Sequence, residues 1–157
     1  MGALSFSWKG FFLELYRSIE NLYSIPRIEK LSKDFGGGSS LYNISRILID
    51  HLDWRPKENE SLNIILADVD RNICAEIFSL IRKNATQTED LTNHGQIAGN
   101  AIYQLRNAIV HFRPDRDNTE DEVSDWDRIC CLMLKVVNQL YSLKGGTFYE
   151  NRLTVTS

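Results

Sequence analysis

The sequence predicts an all-α fold, a compact bundle of about five helices in one domain spanning residues 1–157. Apolar residues recur every three or four positions along five stretches, which is the spacing of one helix face. Two capping boxes, Thr86–Glu89 and Thr119–Glu122, mark helix starts late in the chain. A hydrophobic fraction of 43% and a charged fraction of 25% are ordinary for a soluble globular domain of this length.

The first helical stretch runs from about 7 to 35, and we expect Pro26 to kink or split it. Its opening is rich in aromatic residues, which favours a core or subunit contact over a ligand pocket. The Gly-Ser loop 36–40 lacks the Lys-Ser/Thr pair of a phosphate-binding loop, so it is interpreted as a helix cap and flexible connector. A short second helix is predicted from Leu41 to about Leu52.

Ser61 is predicted to cap a third helix, whose apolar stripe continues from Leu62 to Ile81. The box at Thr86–Glu89 opens the fourth helix, in which Gly95 and Gly99 are expected to loosen the first half.

The fourth helix should end at Pro114, which has no N–H to donate. The fifth helix follows Thr119–Glu122, carries an apolar stripe from Val123 to Tyr141, and ends at a Gly-Gly pair. The polar tail 145–157 is expected to be short and either irregular or strand-like.

The composition excludes several classes of protein. A net charge of −3 and a pI near 5.6 argue against a broadly basic surface that coats nucleic acid, although the nearby arginines at 106, 113 and 116 could form a local basic cleft. The three cysteines lie in apolar segments without CxxC spacing, which predicts reduced core or near-core thiols in a cytoplasmic protein and no zinc site. Neither a signal peptide nor a transmembrane segment is predicted.

The most informative stretch is the end of the fourth helix, residues 99–114. One stripe faces a core and consists of Ala98, Ile102, Leu105, Ile109 and Phe112. The opposite side gathers Tyr103, Arg106, Asn107, Val110 and His111. Arg106 and His111 lie about 140° apart on an ideal helix, an arc that a long guanidinium stem can bend around.

The spacing of Arg and His is weak evidence by itself, because Arg46 and His51 repeat it. The residues between that second pair are mainly apolar and indicate packing, and His51 is interpreted as a helix-end residue. The same plain interpretation applies to the later pair: Arg106 would bind an acidic neighbour, and His111 would cap its own helix.

The segment from Tyr103 to Arg113, Leu-Arg-Asn-Ala-Ile-Val-His-Phe-Arg at its centre, nevertheless resembles the HEPN family (higher eukaryote and prokaryote nucleotide-binding). Members of that family carry an Arg, usually followed by a polar residue, and a His that is separated from the Arg by four to six residues. Their fold is an all-α bundle of about this size, and an acidic residue is frequent on the first helix, where this chain has Glu20.

The resemblance implies a cytoplasmic endoribonuclease that uses no metal or cofactor and works as a homodimer through the motif-bearing helix. Arg106, His111 and Asn107 would be catalytic: His111 as acid or base, Arg106 on phosphate oxygens, and Asn107 orienting the imidazole or holding phosphate. Arg113 and Tyr103 would contribute to RNA binding, and Glu20 would hold Arg106. The products would carry 2′,3′-cyclic phosphate and 5′-hydroxyl ends.

The implied role is that of a toxin or phage-defence effector, restrained by an antitoxin-like or regulatory protein. Two other functions fit the same residues. A non-catalytic HEPN module would bind a nucleotide, a nucleic acid or a partner protein in the same cleft. A plain helical dimerisation domain would use its aromatic first helix as the interface and would not depend on Arg106.

Overall fold

The computed structural model describes residues 7–34, 40–52, 57–82, 93–111, 123 and 125–146, and these confirm an all-α fold. The helices are α1 (Trp8–Glu20), α2 (Ile25–Asp34), α3 (Leu41–Leu52), α4 (Glu58–Leu66), α5 (Arg71–Ile81), α6 (His94–Val110) and α7 (Trp126–Leu140), followed by a π-helical turn (Tyr141–Gly145). No β-strand occurs in those ranges. The count exceeds the predicted five because two predicted helical stretches are each divided in two.

The first stretch is a broken pair, but the break precedes the proline. The turn at 21–24 separates α1 from α2, and Pro26 is the second residue of α2. A proline in the first turn of a helix removes an N–H that has no partner within the helix, so it starts α2 rather than kinking it. Ser7 caps α1, where its hydroxyl accepts a hydrogen bond from the backbone N–H of Gly10.

The prediction of one helix from Ser61 to Ile81 is wrong. Asp70 caps the separate helix α5, and its carboxylate accepts hydrogen bonds from the backbone N–H groups of Asn72 and Ile73. Ser61 lies inside α4, where it is buried and its hydroxyl accepts a hydrogen bond from Arg27. The apolar spacing hid the break because Val69, within the turn between the two helices, is itself buried.

Gly95 and Gly99 do not loosen α6, which is continuous, and instead let it approach α4 closely. A Cβ atom on Gly95 would lie 2.5 Å from the backbone nitrogen of Ala67, and one on Gly99 would collide with the side chain of Asn63. Residues late in α4 therefore lie beside residues early in α6, so the two helices run antiparallel. The first residues of α4 therefore lie beside the last residues of α6.

The core is formed mainly where α1 packs on α7 and where α6 packs on both α4 and α5. Helix α1 also contacts α4 and α6, which joins the two groups of helices. Its fully buried side chains include Phe12, Tyr16 and Ile19. Helix α3 contacts chiefly α2, with Leu41 and Tyr42 packed against the core and Ile47 and Ile49 exposed to solvent.

The cysteines fit their prediction only in part. Cys74 and Cys130 are buried, and burial raises the pKa of their thiols to about 12 and about 11, respectively. Cys131 is exposed on α7 rather than close to the core. Over the described ranges, no helix combines the length and the apolar character that crossing a membrane requires.

Several sequence features lie outside the described residues: both capping boxes, Pro114, the glycines of the loop and the tail after Gly146. The last residue of the Gly-Ser loop, Ser40, is described and caps α3, since its hydroxyl accepts a hydrogen bond from the N–H of Asn43. The helices that the two boxes were expected to open are described from His94 and Trp126 onward.

Candidate functional site around Arg106

Arg106 lies near the C-terminal end of α6, and its guanidinium group contacts residues from two other helices. Nη1 donates a hydrogen bond to Oδ1 of Asn107 over 2.9 Å, and Nη2 donates one to Oε1 of Glu58 over 3.3 Å. Nη2 is also 3.9 Å from Oε1 of Glu20. The guanidinium carbon lies 5.6 Å from the ring centroid of Tyr16, a cation–π distance.

The helical projection suggested that Arg106 lies on a side of α6 that is independent of the core. The structure shows that it does not. Its side chain is 23% exposed and packs against the buried ring of Tyr16. The antiparallel packing of α6 on α4 brings Glu58, the first residue of α4, to the guanidinium group. Glu20 is the last residue of α1, so the ends of two helices, α1 and α4, lie beside the guanidinium group.

The two glutamates experience opposite helix fields. Glu58 lies in the first turn of α4, where the positive end of the helix dipole favours a carboxylate. Glu20 lies at the negative end of α1, which disfavours one. Burial, followed by the hydrogen bond and charge of Glu58, raises the pKa of the Glu20 carboxyl group, and Arg106 and Arg17 offset only part of that rise.

Two tyrosines extend the cluster into the core. Burial is the largest cause that raises the pKa of Tyr16 to about 12, and burial likewise raises the pKa of Tyr23 above its usual value. Neither hydroxyl oxygen has a hydrogen-bond partner of good geometry among the described residues. Both phenols stay protonated at neutral pH, so Arg106 stacks on a neutral, electron-rich ring.

His111 ends α6 and is exposed. Its backbone N–H donates to the carbonyl oxygen of Asn107 over 2.8 Å, and this bond closes the last turn of the helix. The side chain of Asn107 binds Arg106, whereas its link to His111 is the ordinary backbone hydrogen bond of the last helical turn. On an ideal helix, Arg106 and His111 would be separated by about 7.5 Å along the axis.

The remaining predicted site residues have different outcomes. Tyr103 is partly buried and packs against the core cluster. Arg113 lies outside the described residues. The repeated spacing on α3 carries no comparable cluster: Arg46 is exposed and lies 3.8 Å from the exposed Asp50 of its own helix, and His51 is exposed.

Sequence reasoning missed Glu58 as a contact of Arg106. The signal was present, because acidic residues at 58 and 60 precede an apolar run as they do in the first turn of a helix. The prediction placed the cap at Ser61, so it assigned Glu58 to a loop. The contact itself joins residues 48 positions apart, a separation that helical periodicity does not address.

The aromatic opening of α1 belongs to another region of the molecule. Phe12 is buried and packs edge-to-face on Trp126, with ring centroids 6.1 Å apart. Ser7, Trp8, Lys9 and Trp126 line a surface cavity of about 330 Å³. The length of α1 separates this cavity from Glu20, about 18 Å on an ideal helix, so it is not part of the Arg106 cluster.

Within the described ranges, no three His, Cys, Asp or Glu side chains are grouped so that they could hold a metal ion. No protein-family model matches the chain, and the comparisons with curated proteins and with solved structures find no significant match.

Proposed function

We propose that this protein is a metal-independent endoribonuclease of the HEPN type, which cleaves RNA to 2′,3′-cyclic phosphate and 5′-hydroxyl ends. The observation that carries the proposal is the arrangement at the end of α6, where the side chain of Asn107 holds Arg106 and the exposed His111 follows one turn later. A fixed cation and an exposed imidazole within two turns of one helix are the two groups that this chemistry requires.

Each residue has a role in the cleavage. The imidazole of His111 can both accept and donate a proton, so it removes the proton from the 2′-hydroxyl or protonates the 5′-oxygen that leaves. The 2′-oxygen attacks phosphorus, the bond from phosphorus to the 5′-oxygen breaks, and Arg106 stabilises the charge that develops on the phosphoryl oxygens. Asn107 orients Arg106 for this task.

We include in the proposal a homodimer formed through α6, because one chain supplies a single His111 and the reaction uses both an acid and a base. Val110, next to His111, is 49% exposed and offers an apolar contact for a second copy. A two-fold axis near that point would place both copies of His111 at one cleft. The biological role that we propose is a toxin or phage-defence effector restrained by a partner protein.

The test is incubation of RNA with the purified protein in the presence of a chelator, followed by chemical analysis of the new ends. Cyclic phosphate and 5′-hydroxyl ends should form with the wild type and disappear with Arg106→Ala or His111→Ala. Arg46→Ala and His51→Ala are matched controls, since they alter the same spacing on the peripheral α3 and should cleave normally. Undiminished cleavage by both motif variants would overturn the proposal.

A non-catalytic HEPN module is the second candidate, and one observation favours it. Both terminal nitrogens of Arg106 already have partners within the chain, and two carboxylates surround one guanidinium group. Such a cluster would bind a nucleotide, a nucleic acid or a partner protein without carrying out the chemistry. This candidate predicts measurable binding with no cyclic-phosphate product from any RNA tested.

A further inference from the structure

Glu58 and Glu20 converge on the same nitrogen of Arg106. The Nη2 atom lies 3.3 Å from Glu58 and 3.9 Å from Glu20, whereas a strong charge-assisted hydrogen bond spans about 2.7–2.9 Å. Neither carboxylate therefore holds this nitrogen in the best geometry. The opposite nitrogen, Nη1, is held at 2.9 Å by Asn107. The guanidinium group is anchored on one side and loosely paired on the other.

The cluster around Arg106 is partly open to solvent. The side chains of Arg106, Glu58 and Glu20 are 23%, 36% and 28% exposed. Of the two acids, Glu58 is the nearer to Nη2, at 3.3 Å against 3.9 Å for Glu20. Burial, followed by the neighbouring Glu58, raises the pKa of the Glu20 carboxyl group. Glu58 is therefore the carboxylate in hydrogen-bond contact with Nη2.

Resting on the proposed function, in which Arg106 binds a phosphate of RNA, we propose that Glu58 is a positioning residue whose carboxylate competes with that phosphate for Nη2. Both groups are anions that seek the same donor, so the carboxylate occupies an N–H group of Nη2 and repels the phosphate. Glu58 holds Arg106 in place while the site is empty and lowers the affinity of the site for a phosphodiester. The balance between these two effects sets how readily the enzyme binds its substrate.

The test uses Glu58→Gln, which keeps the size and shape of the side chain and removes its charge. The probe is a single-stranded RNA oligonucleotide that is 2′-O-methylated throughout, because it lacks the attacking hydroxyl and cannot be cleaved. We expect its Kd to fall by about tenfold, the effect of removing one partly screened like charge beside the phosphate. With cleavable RNA, KM should fall in proportion while kcat does not rise.

Glu60→Gln is the matched control, since Glu60 lies on the same helix but pairs with Arg27 and Lys57. It should leave both Kd and KM unchanged. The double variant Glu58→Gln with Arg106→Gln should lose the gain in affinity, because the gain acts through the arginine. Thermal unfolding of each variant checks that the fold is intact.

Unchanged or weaker binding by folded Glu58→Gln would overturn the inference, and so would a gain that persists without Arg106. The proposed function can fail separately. Tighter, Arg106-dependent binding in Glu58→Gln without cleavage by any form of the protein would support the competition and refute the ribonuclease. Normal cleavage with unchanged affinity would do the reverse.

Discussion

Arg106 donates a hydrogen bond to the side chain of its immediate neighbour, Asn107, over 2.9 Å. Adjacent residues project about 100° apart on a helix, so this contact requires both side chains to bend towards one another. The polar side chain directly after the arginine therefore fixes one side of the guanidinium group, one turn before the exposed His111.

We expect Asn107→Ala to lower kcat for RNA cleavage by about tenfold, because a charge-assisted hydrogen bond is worth about 1.5–3 kcal/mol and this one is partly exposed. The backbone bond to His111 remains, so the melting temperature should change little. Steady-state kinetics and calorimetry provide the measurement. Asn43→Ala, an exposed asparagine of α3, is the control and should cleave at the wild-type rate. Equal kcat for the two variants would contradict the orienting role of Asn107.

Gly99→Ala should destabilise the protein by about 1–3 kcal/mol, because the new Cβ collides with Asn63 across the interface of α4 and α6. Denaturant unfolding measures the loss. The matched control is Gly10→Ala in α1, where a Cβ would lie 3.5 Å from Ser7 in ordinary contact. That change should stabilise the protein slightly, by up to about 1 kcal/mol, because alanine is the better helix former. A Gly99 variant as stable as the wild type would show that the helices can separate without cost.

The raised pKa of the Glu20 carboxyl group predicts a specific pH dependence of the free energy of unfolding. Burial and then Glu58 raise its folded pKa above the unfolded value of 4.5, so its contribution is complete below pH 4.5 and is lost as pH rises through the folded pKa. Glu20→Gln should therefore lose less stability than the wild type between pH 4.5 and neutrality. Urea unfolding at several pH values tests this. Glu14→Gln, which alters an exposed residue of the same helix, should follow the wild-type curve.

Asp70→Ala should cost about 1 kcal/mol of stability, since the carboxylate caps α5 through the N–H groups of Asn72 and Ile73. Asp50→Ala removes an exposed acid whose partner on α3 is 3.8 Å away, and it should cost under about 0.5 kcal/mol. Chemical denaturation of the two variants provides the comparison. If Asp70→Ala were no more costly than Asp50→Ala, the division between α4 and α5 would not depend on this cap.

The sequence predicted the helical class and the core face of α6 because those follow from local spacing. Leu105 and Ile102, assigned to the core by periodicity, are buried. It missed the end of α4 because Val69 continues the apolar pattern through a turn. It missed Glu58 because contact with Arg106 depends on how two distant helices pack, and the glycines that permit this packing resemble helix breakers in isolation.

The prediction of Glu20 as a neighbour of Arg106 came from a family resemblance, and the structure places the two side chains 3.9 Å apart. The side of α6 that carries Arg106 could not be inferred so well. A guanidinium stem is long enough to cover apolar surface, so an arginine at the edge of a helical stripe can pack on a core ring such as Tyr16. Helical periodicity sorts residues into polar and apolar faces, so it does not show that a charged side chain can also pack on the core.

The two glycines of α6, Gly95 and Gly99, determine where Arg106 lies relative to α4. They fix the axial register between α4 and α6 at Ala67 and Asn63, and Arg106 follows Gly99 by seven residues, about 10.5 Å along the axis. A slip of one helical turn would move the guanidinium by about 5.4 Å relative to Glu58, which is farther than the contact itself spans. The pairing of Arg106 with Glu58 at one end of the helix pair therefore depends on two residues without side chains, Gly95 and Gly99, at the other end.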